Sequence, residues 1–292
     1  MTTAPSGAKG WLSDISELIK TRLTFFNLMT TLAGFYTGTP HRMQGLLLFH
    51  TLFGTFLVAA AASALNQVLE RDHDLLMRRT ADRPLAARRR NPDVVLAGAI
   101  VVGVGGMVYL AVLVNLPAAV LAALTLASYV FLYTPLKRIT TLNTLVGAIP
   151  GALPPVIGYA GATGRIGIEA VILFAILFFW QLPHFLAIAW MYRDEYRAAG
   201  FKMLSGDDPQ GERTARHALF NAVALLPVSL LPSVVGLAGT GYFVGAFLLS
   251  LGFCYKAWLF LQKRDNPSAR QLFFMSIFYL PLLLGLLAWD TK

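Results

Sequence analysis

Residues 45–74 read GLLLFHTLFGTFLVAAAASALNQVLERDHD. Gly45 to Leu69 contains no Asp, Glu, Lys or Arg. That run exceeds the roughly 20 apolar residues a helix needs to cross a bilayer core. In lipid the backbone must satisfy its own polar groups, which makes the run a membrane helix. The rest of the chain has the same character. Its 292 residues are 56% hydrophobic, 12% aromatic and only 13% charged, with a mean hydropathy of +0.61. A soluble domain carries about 25% charged residues. So few charges cannot clothe a water-facing surface, which excludes a soluble globule, a disordered chain and a fibre. An all-α polytopic membrane protein remains.

Working outward, nine stretches qualify as spans: 23–39, 45–69, 93–113, 117–135, 141–161, 167–192, 216–236, 240–262 and 271–289. A count of eight follows if the seventh and eighth fuse across Gly236 to Gly241. With a cytoplasmic N-terminus, 21 of the 24 basic residues fall on the cytoplasmic side, leaving Arg42, Arg165 and Lys292 opposite. That asymmetry is a positive-inside pattern and favours an odd number of crossings. It also accounts for the net charge of +9 without nucleic acid. The expected organisation is one membrane domain, 1–292. A cytoplasmic segment (1–22) precedes it, and its cytoplasmic loops are 70–92 and 193–215. Cys254 is the single cysteine, so no internal disulfide and no Cys-x-x-Cys-His haem attachment exist. The N-terminus is too polar for a cleaved signal peptide, so the first apolar segment is expected to remain as a span.

No charged residue lies at mid-membrane, which argues against an ion-coupled transporter. Gly34-x-x-x-Gly38 and Gly147-x-x-x-Gly151 read as sites of close helix contact. Thirteen of the 15 acidic residues lie on the cytoplasmic side, concentrated in 70–82 and 194–212. Acidic residues contribute little to orientation, so topology does not explain them. The two clusters follow spans two and six, suggesting two related four-helix units plus a ninth helix.

At the end of span two, Asn66, Glu70 and Asp74 are spaced i, i+4, i+8, one stripe of a helix, while Asp72 points elsewhere. An amide oxygen and two carboxylates are hard ligands suited to Mg²⁺. Because Asn66 and Glu70 close an apolar span, the stripe should face a wet cavity. Arginines follow at once in MRRTADRPL, 77–85. Carboxylates followed by guanidinium groups suit a metal–diphosphate complex, the arginines gripping phosphate oxygens bidentately. The Arg88-Arg89-Arg90 run reads as topology alone.

Span six ends in WQLPHF (180–185) and YRDEYRAAG (192–200). Asp194 and Glu195 repeat the acidic theme at the same face. His184 is a packed residue, an iron ligand or an acid–base group. Lys137 and Arg138 occupy a short turn, either as topology or as diphosphate ligands.

These residues resemble the intramembrane (UbiA-type) prenyltransferase superfamily, whose Asn-x-x-x-Asp-x-x-x-Asp pattern reads Asn66, Glu70, Asp74 here. Four stretches resemble its haem-farnesylating branch: KTRLTFFNL (20–28), ALNQVLERDHDLLMRRTADRPL (64–85), YTPLKRITTLNTLVGAIPGALPPVIGY (133–159) and WQLPHFLAIAWMYRDEYRAAGFKML (180–204). Glu70 departs from the commoner Asp by one methylene, which leaves an oxygen ligand but alters metal geometry. The second motif departs from the paired-aspartate form, leaving Asp194 against Glu195 open.

The resemblance implies nine helices around a lipid-open central cavity in a bacterial inner membrane, with the site on the cytoplasmic side. It implies Mg²⁺, as two ions bridging the diphosphate, and transfer of farnesyl from farnesyl diphosphate to a vinyl group of haem b. Haem is then a substrate rather than a covalent cofactor, and a downstream haem-modifying enzyme is an expected partner. Carried onto this chain, Asn66, Glu70, Asp74 and Asp194 are catalytic metal ligands, supported by Glu195. Arg22, Arg79, Arg83, Lys137 and Arg138 hold diphosphate, and His184 and Arg193 lie on the haem side. A quinone-precursor or chlorophyll-type acceptor is the alternative within the superfamily.

Overall fold

The computed structural model describes residues 10–39 and 44–291. The first nine residues of the N-terminal segment, and Lys9, Arg42 and Lys292 of the charge count, lie outside the described residues. The described residues form helices α1 (Trp11–Leu18), α2 (Thr21–Gly38), α3 (Gly45–Asp74), α4 (Pro92–Leu113), α5 (Leu116–Ala127), α6 (Thr134–Leu136), α7 (Asn143–Ala152), α8 (Pro154–Thr163), α9 (Ile168–Met191), α10 (Arg193–Ala198), α11 (Glu212–Val234), α12 (Thr240–Lys263) and α13 (Asn266–Trp289). A π-helical turn, Ser128–Tyr133, joins α5 to α6.

Eight of the resulting segments are long and apolar enough to cross a membrane. They are α3, α4, α5 through α6 (Leu116–Leu136), α7 through α8 (Asn143–Thr163), α9, α11, α12 and α13. The protein is therefore a multi-pass membrane protein. Eight is not the eight of a fused seventh and eighth span: α11 and α12 are separate helices. The expected ninth span, 23–39, is α2, whose Arg22, Asn27 and five threonines leave it less apolar than the other eight.

Boundary chemistry sets the helix ends. Asn91 caps α4 through Asp93 N at 2.8 Å, with Pro92 opening the helix. Asn115 caps α5 through Ala118 N, and its amide donates to the Ala160 and Gly161 carbonyls, tying α5 to α8. Asp265 caps α13 through Ser268 N. Such caps satisfy donors that the first helical turn leaves orphaned.

Two apolar cores divide the bundle. One gathers α3, α4, α5 and α8; the other gathers α9, α11, α12 and α13. Helix α2 packs closely on α8. A Cβ at Gly34 would overlap the Pro155 carbonyl, and one at Gly158 would overlap the Thr31 carbonyl. Only glycine permits that approach, so the Gly34 contact is as expected. Small cavities lie among the described helices. A cavity of about 30 Å³ lies among α2, α3, α5 and α8. A second, of about 70 Å³, lies at the polar end of α3.

Candidate active site

The last turns of α3 carry polar groups into the protein. Asn66, Glu70 and Asp74 are 0%, 3% and 2% exposed, and all three line the 70 Å³ cavity. The 3.6-residue period produces that shared face, and Asp72, off the stripe, is exposed. Buried charges persist only when paired. Here each stripe residue meets a cation from a different segment. Lys20 Nζ donates to Asn66 Oδ1 at 2.7 Å. Lys137 Nζ donates to Glu70 Oε1 at 2.7 Å. Arg83 Nη1 reaches both Asp74 oxygens at 2.7 Å.

Local structure explains how each cation arrives. Beyond α3 the chain turns back on itself: Thr80 Oγ1 donates to the Asp74 carbonyl, and Met77 is buried against Ala189, Phe201 and Met203. This return aims Arg83 at the helix it has just left. Lys137 sits one residue past α6. The π turn lets Thr134 Oγ1 bond the Tyr129 carbonyl five residues back, and it brings Tyr133 under Lys137, ring centroid 4.5 Å from Nζ. Pi turns widen a helix locally and recur at functional sites. Lys20 adopts a left-handed conformation, φ 48°, between α1 and α2. For a non-glycine residue that conformation is costly and is kept where the surroundings enforce it. Gln67 enforces it by donating to the Glu17 and Leu18 carbonyls just upstream.

The Lys20 ammonium also donates to the Tyr129 hydroxyl at 3.3 Å. Burial, with the positive Arg83 and Lys137 behind it, pushes Lys20 down to about 7. Lys137 behaves oppositely: burial disfavours its charge, but Tyr133 and Glu70 hold it above the ordinary lysine range. The two lysines differ because Lys137 lies against Tyr133 and pairs with Glu70, whereas Lys20 meets a neutral amide and has two other cations behind it.

The cavity receives its remaining cation from Arg79, which donates to the Tyr196 hydroxyl at 2.8 Å and lies over the rings of Tyr192 and Tyr196. Two carboxylates thus face four cations, a surplus of positive charge suited to a polyanion. The donor set of two carboxylates and an amide fits Mg²⁺, which takes one or two protein carboxylates and completes its shell with water and substrate phosphate. Among the described residues no group of three or more His, Cys, Asp or Glu could form an all-protein cage.

The other expected residues lie outside this cavity. Asp194 is exposed on the first turn of α10. Glu195 is half-buried, with Oε2 buried and unpartnered. From that helix it is Tyr196 that lines the cavity. Arg22 is exposed; it is two residues from Lys20 and so on another helix face. Arg138 caps the α3 backbone through the Leu69 carbonyl at 2.7 Å. His184 is packed between Trp180 and Phe273, ring centroids 5.5 and 5.0 Å away, with Nδ1 2.7 Å from Ser276 Oγ. Arg193 lies over the Trp190 ring and donates to the Trp190 carbonyl and Asn266 Oδ1. Sequence reasoning missed Lys20, Tyr129, Tyr133 and Tyr196. Lys20 left a trace as the cation opening KTRLTFFNL at the polar edge of an apolar run, and Tyr133 and Tyr196 stand within the stretches YTPLKR and YRDEY.

The fold and this site define a class. Residues 27–278 match the model of the UbiA prenyltransferase family. The chain belongs to that family and is an enzyme that transfers prenyl groups. Within it, the chain is 46% identical to the protoheme IX farnesyltransferase of Solibacter usitatus, over 96% of this chain and 99% of that one. It is 39% identical to the mitochondrial protoheme IX farnesyltransferase of Arabidopsis thaliana, over 92% of this chain and 63% of that one. The fold recurs in solved structures. One is a digeranylgeranylglyceryl phosphate synthase (TM-score 0.81, 16% identity, 96% of this chain and 98% of that one). Another is a UbiA homolog from Archaeoglobus fulgidus bound to GPP and Mg²⁺ (TM-score 0.63, 12% identity, 94% and 99%).

Proposed function

We propose that this prenyltransferase transfers the farnesyl group of farnesyl diphosphate to a vinyl group of protohaem IX (haem b). Water adds in the same reaction, and haem O and diphosphate are the products. Haem O then serves terminal oxidases, directly or after a downstream haem-modifying enzyme. The observation that carries the reading is the α3 stripe, Asn66, Glu70 and Asp74, facing four cations in one cavity. The names of the relatives supply the acceptor.

Asn66, Glu70 and Asp74 would hold Mg²⁺ together with the diphosphate, and the ion supplies charge neutralisation at the leaving oxygens. Lys20, Arg79, Arg83 and Lys137 compensate the charge that grows on the diphosphate as its bond to C1 breaks. The allylic cation at C1 meets the vinyl carbon, and water captures the cation left on the vinyl substituent. A second ion would draw on Asp194 or Glu195. Glu195 is the better candidate, since its Oε2 is buried without a partner.

The same reading makes residues 1–292 one membrane domain. Its segment 1–22 and loops 70–92 and 193–215 lie on the cytoplasmic side of a bacterial inner membrane, a sidedness that the charge asymmetry supports. Helix α2, at 18 residues, is about 27 Å long and makes the ninth crossing. The test is mass spectrometry of the products after incubating purified protein with haem b, farnesyl diphosphate and Mg²⁺. Haem O is expected. A prenylated 4-hydroxybenzoate, with haem b left untouched in parallel reactions, would replace this acceptor with a quinone precursor.

A further inference from the structure

A second opening adjoins the site. Between the site-bearing ends of α9 and α13 runs a groove of about 330 Å³, walled by Ile188, Met191, Phe273 and Phe274 and flanked by Arg79 and Arg270. Arg79 also lines the diphosphate cavity, so the two spaces share a wall. Arg270 is exposed on the second turn of α13, and no hydrogen bond or ion pair engages it among the described residues. Positive-inside topology would account for an arginine at this membrane face, but it does not place one beside an aromatic groove that abuts the site. The neighbouring Arg193, expected on the acceptor side, is instead committed to Trp190 and Asn266.

We propose that this groove seats the prenyl acceptor, with Arg270 pairing to one of its carboxylates. The inference rests on the reading of protohaem as acceptor. Two features select the ligand class. Flat aromatic walls favour a planar, apolar ring system. A guanidinium without a partner favours a carboxylate on that system's edge, which it binds bidentately. A tetrapyrrole bearing two propionates has both. The wall shared at Arg79 sets such a ring beside the carbon that leaves the diphosphate, as transfer requires.

The experiment compares haem b with its propionate dimethyl ester in wild type, Arg270→Ala and Arg270→Lys, all as full chains in detergent. Wild type is expected to prefer the free acid, with a KM roughly tenfold lower than for the ester, the scale of one charge-assisted hydrogen bond. Arg270→Ala should raise the haem KM to the ester's value, leaving the ester and farnesyl diphosphate KM values unchanged. Arg270→Lys should recover part of the preference. An exposed side chain carries little of the fold, and the unchanged ester KM reports on folding directly. If wild type makes farnesylated haem but Arg270→Ala keeps the full preference for the free acid, the groove is not the seat. Equal KM values for acid and ester in wild type overturn it too. If wild type farnesylates neither compound, the acceptor reading itself falls, and this inference with it.

Discussion

Replacing Lys137 with methionine separates two roles of one ammonium, the pairing with Glu70 seen in the structure and the diphosphate binding proposed for it. Lys137 Nζ lies 2.7 Å from Glu70 Oε1, with the side chains 12% and 4% exposed. Removing one partner of a buried pair strands the other charge, at a cost of about 3–5 kcal/mol. Lys137→Met should therefore lower the stability of the protein by that amount, measured by unfolding in detergent. Adding Glu70→Gln removes the stranded charge, and most of the stability should return. Activity should not return with it. In the proposed function Lys137 is also one of four cations that face the diphosphate, and a hydrogen bond to a charged group contributes about 1.5–3 kcal/mol. On the tenfold-per-1.36 kcal/mol scale, kcat/KM for farnesyl diphosphate should fall about 10- to 150-fold in the single variant. It should fall further in the double variant, which also lacks the Glu70 carboxylate. The assay is steady-state turnover normalised to folded protein. A double variant that regains both stability and turnover would refute the reasoning and reduce Lys137 to a counterion for Glu70.

Asp74→Asn keeps an oxygen for Arg83 but removes a carboxylate from the stripe, so turnover should drop by more than the 10- to 100-fold typical of residues that only orient a metal ligand. Initial rates across a Mg²⁺ titration check this; wild-type rates at saturating Mg²⁺ would dismiss Asp74 as a ligand. Asp14, buried in α1, receives Arg89 at 3.0 Å and Arg90 at 2.8 Å. Burial opposes its charge, yet the two guanidinium groups hold its carboxyl below the usual carboxylate range. The stability it contributes is therefore complete above its unfolded pKa of about 3.9 and is lost as pH falls through the lower folded value. Asp14→Asn should be less stable at neutral pH, with the difference vanishing in acid. A difference that does not change with pH would dismiss the charge pairing. His184→Ala should lower haem-dependent turnover per folded molecule more than it raises the farnesyl diphosphate KM, because His184 supports Phe273 of the groove wall. An unaltered haem KM and kcat would leave His184 as packing alone.

Much of this was legible in the sequence because the governing periods are local. The run from Gly45 to Leu69 needs no partner to declare a membrane helix, and the spacing of Asn66, Glu70 and Asp74 fixes a common face before any tertiary contact exists. The cations were harder to place, since each depends on a turn. Arg22 was the expected diphosphate ligand, but the left-handed residue at position 20 turns Lys20 inward and leaves the arginine outside. Asp194 and Glu195 carried the expected chemistry at the expected membrane face, but the short α10 presents Tyr196 to the cavity. His184 stood out in WQLPHF, and only the fold could show Trp180, Phe273 and Ser276 enclosing it. Helix α2 was legible by position and less so by hydropathy, because its threonines return their hydroxyls to its own backbone, as Thr30 and Thr31 do to the Asn27 carbonyl.

The origin of the cations bears on how the site works. Asn66, Glu70 and Asp74 come from one helix, but Lys20, Lys137 and Arg83 come from three segments, each held by its own contacts. The Lys137 segment links the two halves of the bundle: Lys202 N donates to the Lys137 carbonyl at 2.7 Å, and Asn143 donates to the Lys202 carbonyl. Phe201, beside Lys202, then closes over the Lys137 ammonium, 5.8 Å from its ring centroid. Neither half alone can assemble the cavity, so a site at the seam is a consequence of docking two four-helix units. Charge adds the selectivity. With two carboxylates against four cations, a neutral or singly charged guest leaves positive charge uncompensated in a poorly solvated space. A diphosphate compensates it, and does so more fully as its bond to carbon breaks and negative charge accumulates on the departing oxygens. Interactions that strengthen along that coordinate accelerate the bond cleavage itself, beyond holding the substrate in place.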